Sequence, residues 1–223
     1  MTLNSVKTRE PRVYDIVAIS FVALLILSNI AATKLIGLHI GPTLLVFDGG
    51  AVLFPLTYIL GDVLSEVYGF SRARRAILAG FAFSIIAALT FLVVGAAPAG
   101  PGYENQDAFV AVLGFVPRIV AASVLGYLAG QLLNSWVLVR IKAKWGERHL
   151  WARLIGSTLV GEFADTLIFC TVAFYGVITG AEFLNYLFVG YVYKVGVEVI
   201  LLPVTYRVIG WIKRIESYEE SHV

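Results

Sequence analysis

FPLTYILGDVLSEVYG, residues 54–69, reads as a buried apolar helix until Asp62 and Glu66 interrupt it with two carboxylates one helical turn apart. The chain around it explains why acids there need a reason. In 223 residues, 59% are hydrophobic and only 14% are charged. The mean hydropathy is +0.84. A soluble domain carries about a quarter charged residues, so the sequence predicts an integral membrane protein. The single cysteine, Cys170, lies in an apolar run. It supports neither an intramolecular disulfide nor a zinc site, and no cofactor or metal is expected.

Taking about 20 apolar residues per crossing, the sequence predicts an all-α membrane protein of six transmembrane helices, at residues 13–33, 50–67, 76–97, 110–139, 152–178 and 183–209. They form one transmembrane domain, residues 13–212, between short cytoplasmic tails, residues 1–12 and 213–223. The polar, basic opening and the long apolar run after it are expected to leave the N-terminus uncleaved. Lys7, Arg9 and Arg12 precede the first span, Arg72, Arg74 and Arg75 follow the second, and Arg140, Lys142, Lys144, Arg148 and Arg153 lie around the link after the fourth. Arg207, Lys213 and Arg214 end the sixth. All fall on one side, whereas the other side carries only Lys34, so the positive-inside rule puts both termini in the cytoplasm. After the first helix, LIGLHIGPTLLVFDGG has the composition of a short external hairpin turning at Gly-Pro. LGDVLSE in the second span and VGEFADT in the fifth share a Gly-acid pair followed by a further acid, a thin sign of two inverted three-helix repeats.

Depth brings the ionisable residues together. Asp62 and Glu66, Glu162 and Asp165, and Lys194 and Glu198 are each spaced three or four residues apart, so each pair shares a helix face. A charge at mid-membrane costs about 2.5–3.5 kcal/mol on insertion scales. These faces should therefore point at one another or at a polar cavity. Against the five acids stand only Arg118 and Lys194, which leaves a surplus for a hydrated cavity or a bound polar or cationic solute. Glu66 lies near the cytoplasmic end and could instead reach the arginines of the next link. Asn29 in the first span, and Tyr127, Gln131 and Asn134 on the fourth, add polar groups that interhelical hydrogen bonds would also explain. Phe54, Tyr58, Phe163, Tyr191 and Tyr193 offer faces on which a flat ring could stack.

FDGGAVLFPLTYILGDVLSEVYGFSRARRAI, with SNIAATK, STLVGEFADTLIF and YKVGVEVILLP, resembles the queuosine precursor transporters, vitamin uptake transporter-like membrane proteins, over roughly residues 28–203. The resemblance implies uptake of 7-deazaguanines such as preQ0 or preQ1 across the bacterial cytoplasmic (inner) membrane. Its expected partners are that small molecule and the lipid bilayer, with no nucleic acid, and a homodimer is compatible with it. It implies substrate-binding roles for Asn29, Asp62, Glu66, Arg118, Gln131, Glu162, Asp165, Thr166, Lys194 and Glu198. The residues fit such a ligand, because a deazaguanine offers two adjacent N–H donors to a carboxylate and an O6 acceptor to Lys, Arg or Gln.

Two other classes fit less well. A substrate-binding membrane subunit of an ATP-driven vitamin importer would also have about six spans. An intramembrane aspartyl protease would need a Gly-x-Gly-Asp motif, which neither Asp62 nor Asp165 has, and His39, His149 and His222 lie outside the expected spans. The chain is thus not expected to be an enzyme.

Overall fold

The computed structural model describes residues 11–145 and 150–216. Its elements are α1 (Tyr14–Ala31), β1 (Leu35–Ile40), β2 (Thr43–Asp48), a 3-10 turn (Gly49–Val52), α2 (Phe54–Ala96), α3 (Gln106–Leu113), α4 (Val116–Trp145), α5 (Leu150–Phe174) and α6 (Gly180–Ile215). Among the described residues, five helices are long and apolar enough to cross a membrane. Most of the two expected tails, including Lys7 and Arg9, lies outside the described residues, as do Arg148 and the other residues of 146–149.

The second and third expected spans form one element. α2 has 43 residues, about 64 Å if straight, twice the roughly 30 Å hydrocarbon core. It is not straight. At Gly69 the backbone takes φ 79°, ψ 166°, a region open only to glycine. A Cβ on Gly61 or on Gly80 would lie 3.8 Å from the ring of Phe21 in either case. Along a straight helix those glycines would be about 28 Å apart, so the two limbs fold back onto the same face of α1. The basic link expected between the second and third spans does not interrupt the helix: Ser71–Arg72–Ala73–Arg74–Arg75–Ala76 is helical, as its good helix formers favour.

At this end of the bundle the core joins Val17 and Phe21 of α1, Val63, Leu64, Val67 and Tyr68 before the bend, Ala73 and Ala76 after it, and Ile209 and Ile212 of α6. Tyr14 meets Tyr68 edge to face at 5.2 Å, and its hydroxyl donates to the Arg72 carbonyl at 3.0 Å. Glu216 fastens the group. Its carboxylate accepts from the backbone N–H of Arg12 at 2.8 Å, from that of Val13 at 3.0 Å and from the Tyr68 hydroxyl at 3.0 Å. Unpaired amides at a helix start favour an anion, and here the far end of the chain supplies it.

The opposite end carries the expected hairpin. β1 and β2 pair antiparallel with Ile40 opposite Thr43, leaving Gly41 and Pro42 as a two-residue turn with Gly41 at φ 59°. The free edge of β2 is covered by α6: the Asn185 side chain accepts from the Val46 N–H at 3.1 Å and donates to the Leu44 carbonyl at 2.9 Å, doing the work of a third strand. Gly49 and Gly50 then press onto the end of α1. A Cβ on Gly49 would overlap the Ala31 carbonyl oxygen.

α4 and α5 form the closest seam. A Cβ on Gly126 would lie 2.9 Å from both the backbone oxygen and Oδ1 of Asp165, and one on Gly130 would lie 3.0 Å from the Asp165 Cβ and the Gly161 oxygen. Small residues four apart let two membrane helices approach this closely. The expected fourth span is divided where α3 ends at Leu113 and α4 begins ahead of Pro117, a residue that suits the first turn of a helix and not its interior.

Two outcomes follow for stability. Gly49→Ala should cost about 1–3 kcal/mol, the range for overpacking against atoms that cannot yield, read as a lower melting temperature of the purified protein. Burial works to raise the Glu216 pKa, but the Arg12 and Val13 amides, Tyr68 and the Arg12 charge hold it below the ordinary 4.5. Its contribution should be complete above about pH 4.5 and fade as the pH falls through the lowered folded value. Melting curves of Glu216→Gln should lie below wild type near neutral pH and converge with it in acid.

Candidate functional site

The site forms where α5, α6 and the first limb of α2 face one another. Lys194 of α6 donates from Nζ to Oδ2 of Asp165 on α5 in an ion pair. The two side chains remain 20% and 23% exposed. The ammonium also stands 5.4 Å from the Phe54 ring centre and 6.0 Å from that of Phe169, a cation–π setting on two sides. Asp165 is placed by the glycine seam, its carboxylate filling the space that a side chain at Gly126 would take.

Further acids continue from this pair. Glu162, one turn before Asp165, lies within electrostatic reach of Lys194, Asp165 and Glu198, and its Oε1 accepts from the Tyr58 hydroxyl at 3.4 Å. Tyr58 in turn lies within reach of Glu198 and Asp62, and Asp62 within reach of Glu198 and Glu66. Lys194, Asp165, Glu162, Glu198, Asp62 and Glu66 thus make one continuous string, with exposed Glu66 toward the Gly69 bend. Such a string accepts hydrogen bonds over most of its length and holds one cation, which suits a solute rich in N–H donors.

Other expected site residues have different surroundings. Asn29 donates to the Ser84 hydroxyl at 3.3 Å and accepts from the Ser123 hydroxyl at 2.9 Å, joining α1, α2 and α4 in a buried polar knot. Arg118 donates to the carbonyls of Val172 at 2.7 Å and Tyr175 at 2.6 Å, where a cation satisfies orphan carbonyls at a helix end. Gln131 is exposed on α4. Thr166 is buried beside Asp165, and its hydroxyl has no hydrogen-bond partner among the described residues. Of the aromatics, Phe163 meets Tyr191 edge to face at 5.6 Å, while Tyr191 and Tyr193 donate to the carbonyls of Leu159 and Ala51.

Asp48 escaped the sequence reading, which put it in an external segment. Its Oδ2 accepts from the Tyr186 hydroxyl at 2.6 Å and its Oδ1 from the Gly50 N–H at 2.8 Å. Burial pushes its carboxyl above the ordinary 3.8, against the pull of Tyr186, Gly50 and the nearby Lys194 charge. The signal in the sequence was the Asp-Gly-Gly run, since Asp before two glycines is both a turn and a helix cap.

A multi-pass helical membrane protein with a polar, mostly acidic site inside its bundle is the architecture of a solute transporter. A family described as putative vitamin uptake transporter matches residues 48–208, and the chain belongs to that family. The probable queuosine precursor transporter of Bacillus subtilis (strain 168) is 34% identical over 160 residues, covering 70% of this chain and 69% of the relative. The queuosine precursor transporter of Escherichia coli (strain K12) is 29% identical over 163 residues, covering 72% and 71%. The probable queuosine precursor transporter of Haemophilus influenzae (strain ATCC 51907 / DSM 11121 / KW20 / Rd) is 27% identical over 163 residues, covering 72% and 67%. No solved structure matches the chain. None of these relatives is called a subunit of an ATP-driven importer, the alternative weighed from the sequence, and all three are called transporters rather than enzymes.

Asp165→Asn leaves the ammonium without its counter-charge. With both groups about a fifth exposed, the loss should be about 2–3 kcal/mol, below the ~3–5 kcal/mol of a fully buried pair. The double variant Asp165→Asn with Lys194→Met should lose less than the two single losses combined, as coupled partners do. Melting temperatures of the four proteins measure this.

Proposed function

We propose that this protein imports 7-deazaguanine precursors of queuosine across the bacterial cytoplasmic membrane. The observation that carries the reading is the Lys194–Asp165 pair with Glu162, Glu198 and Asp62 in electrostatic series beside it. The names of the relatives supply the solute class. A deazaguanine's N1–H and exocyclic amine lie side by side and suit one carboxylate, while its O6 suits an ammonium. Asp62 is the carboxylate assigned to the paired donors, because it stands on the α2 limb within reach of Glu198 and is not the carboxylate that holds Lys194. Lys194 is assigned to O6, and Phe54 and Phe169 offer flat faces beside it. The remaining acids favour the aminomethyl form, whose ammonium would take a second carboxylate, over the neutral nitrile. A single copy supplies every one of these groups, so the reading requires no dimer.

Six crossings with both termini in the cytoplasm fit this picture. The reversal at Gly69 gives α2 two limbs, and the Arg12–Glu216 contact puts the start of α1 and the end of α6 at one end, as an even number of crossings demands. Arg72, Arg74, Arg75, Lys213 and Arg214 lie near that end in sequence, where basic residues mark the cytoplasmic face. Asp62 and Asp165 then occupy the middle helix of each set of three, which supports the inverted-repeat plan.

The test is uptake of labelled deazaguanines into a bacterial host unable to make queuosine, with tRNA modification as a second readout. Wild type should restore modification from the aminomethyl precursor. Asp62→Asn replaces an acceptor with a group that presents a donor to one substrate N–H, and should lower uptake about tenfold to a hundredfold at equal membrane abundance. Wild-type cells that gain no uptake of either precursor would remove the assignment, and full uptake by Asp62→Asn would remove that residue from the site.

A further inference from the structure

The end of the site nearer the hairpin is bordered by side chains of α6 that bond to the segment from β2 through the 3-10 turn. Asn185 holds β2 through two hydrogen bonds. Tyr186 donates to Asp48 at 2.6 Å, and Tyr193, the residue before Lys194, donates to the Ala51 carbonyl at 2.8 Å. Under this cover lie Tyr186 and Cys170, each 2% exposed. Cys170 is within electrostatic reach of Lys194, Asp48 and Asp165. Asp48 therefore borders both the hairpin cover and the charged pair.

The character of these bonds differs from that of the α4–α5 seam. The seam is backbone against backbone and has no slack, whereas the cover is held by side-chain hydrogen bonds that can open one at a time. Once Tyr186 withdraws, Asp48 keeps its Gly50 amide and gains a free acceptor next to a site that already contains an ammonium.

We propose that Asp48 is a positioning residue of the transport site: through Tyr186 it latches the hairpin over the Lys194–Asp165 pair, and solute passes that end of the site only when this latch opens. The proposal rests on the transport reading above and adds to it the residue that governs access. Asp165 holds Lys194 from α5, and Asp48 holds the cover from β2.

Cys170 is the only cysteine in the chain and serves as a native probe. The full chain in lipid nanodiscs is labelled with N-ethylmaleimide, with and without 7-aminomethyl-7-deazaguanine. Wild type should react slowly and be slowed further by the ligand. Tyr186→Phe removes one oxygen and Asp48→Asn one charge. Both should label about tenfold faster, as expected for eased local opening, and should lose the protection by ligand that wild type shows. A latch that merely stabilises the fold would lower the melting temperature without changing the labelling of the folded protein. Wild-type labelling rates in both variants would overturn the proposal, and where Asp48→Asn does not fold, Tyr186→Phe decides alone. Faster labelling in the variants with no ligand protection of wild type would uphold the latch and overturn the deazaguanine assignment.

Discussion

An ammonium inside a helical bundle needs a counter-charge at contact distance, and the rest of this structure is organised around giving Lys194 one. Asp165 reaches it because α5 can lie almost against α4, with the carboxylate in the place of a missing Gly126 side chain. The two aromatic rings beside the ammonium reduce its exposure to hydrocarbon without supplying a competing acceptor. A neutralised pair is then cheap enough to keep within the bundle, and the acids beyond it can remain available.

Those acids run in one direction, from Glu162 past Tyr58 to Glu198, Asp62 and Glu66, toward the Gly69 bend. In the other direction lie Asp48 and the hairpin. Lys194 thus has acidic side chains on one side and the hydrogen-bonded hairpin segment on the other.

Much of this was legible in the sequence because the physics involved is local. Helical spacing placed Glu162 with Asp165 and Lys194 with Glu198 on shared faces, and the cost of burying charge implied that those faces would meet. The two-residue hairpin followed from Gly41 and Pro42. Contacts between distant segments were not legible. For Arg118 and Asn29 the sequence could not show the carbonyls and hydroxyls they meet, because polar side chains in apolar helices look alike, whether they cap a helix end, tie helices together or hold a solute. Asp48 was hidden for the opposite reason: it lies outside every apolar run, and only folding brings the hairpin back over α6. The bend at Gly69 was visible as a link between spans, but its continuous helix was not, because a charge cluster signals a membrane edge without specifying the backbone there.

Glu216 joins positions 204 residues apart, by bonding to the amide of Arg12. Synthesis runs from the N-terminus, so α1 enters the membrane long before its partner at the other end exists. Their contact can form only after α6 has been made, and until then the start of α1 lacks this acceptor for its amides. Closure of this end of the bundle is in this sense timed by the residue that follows α6.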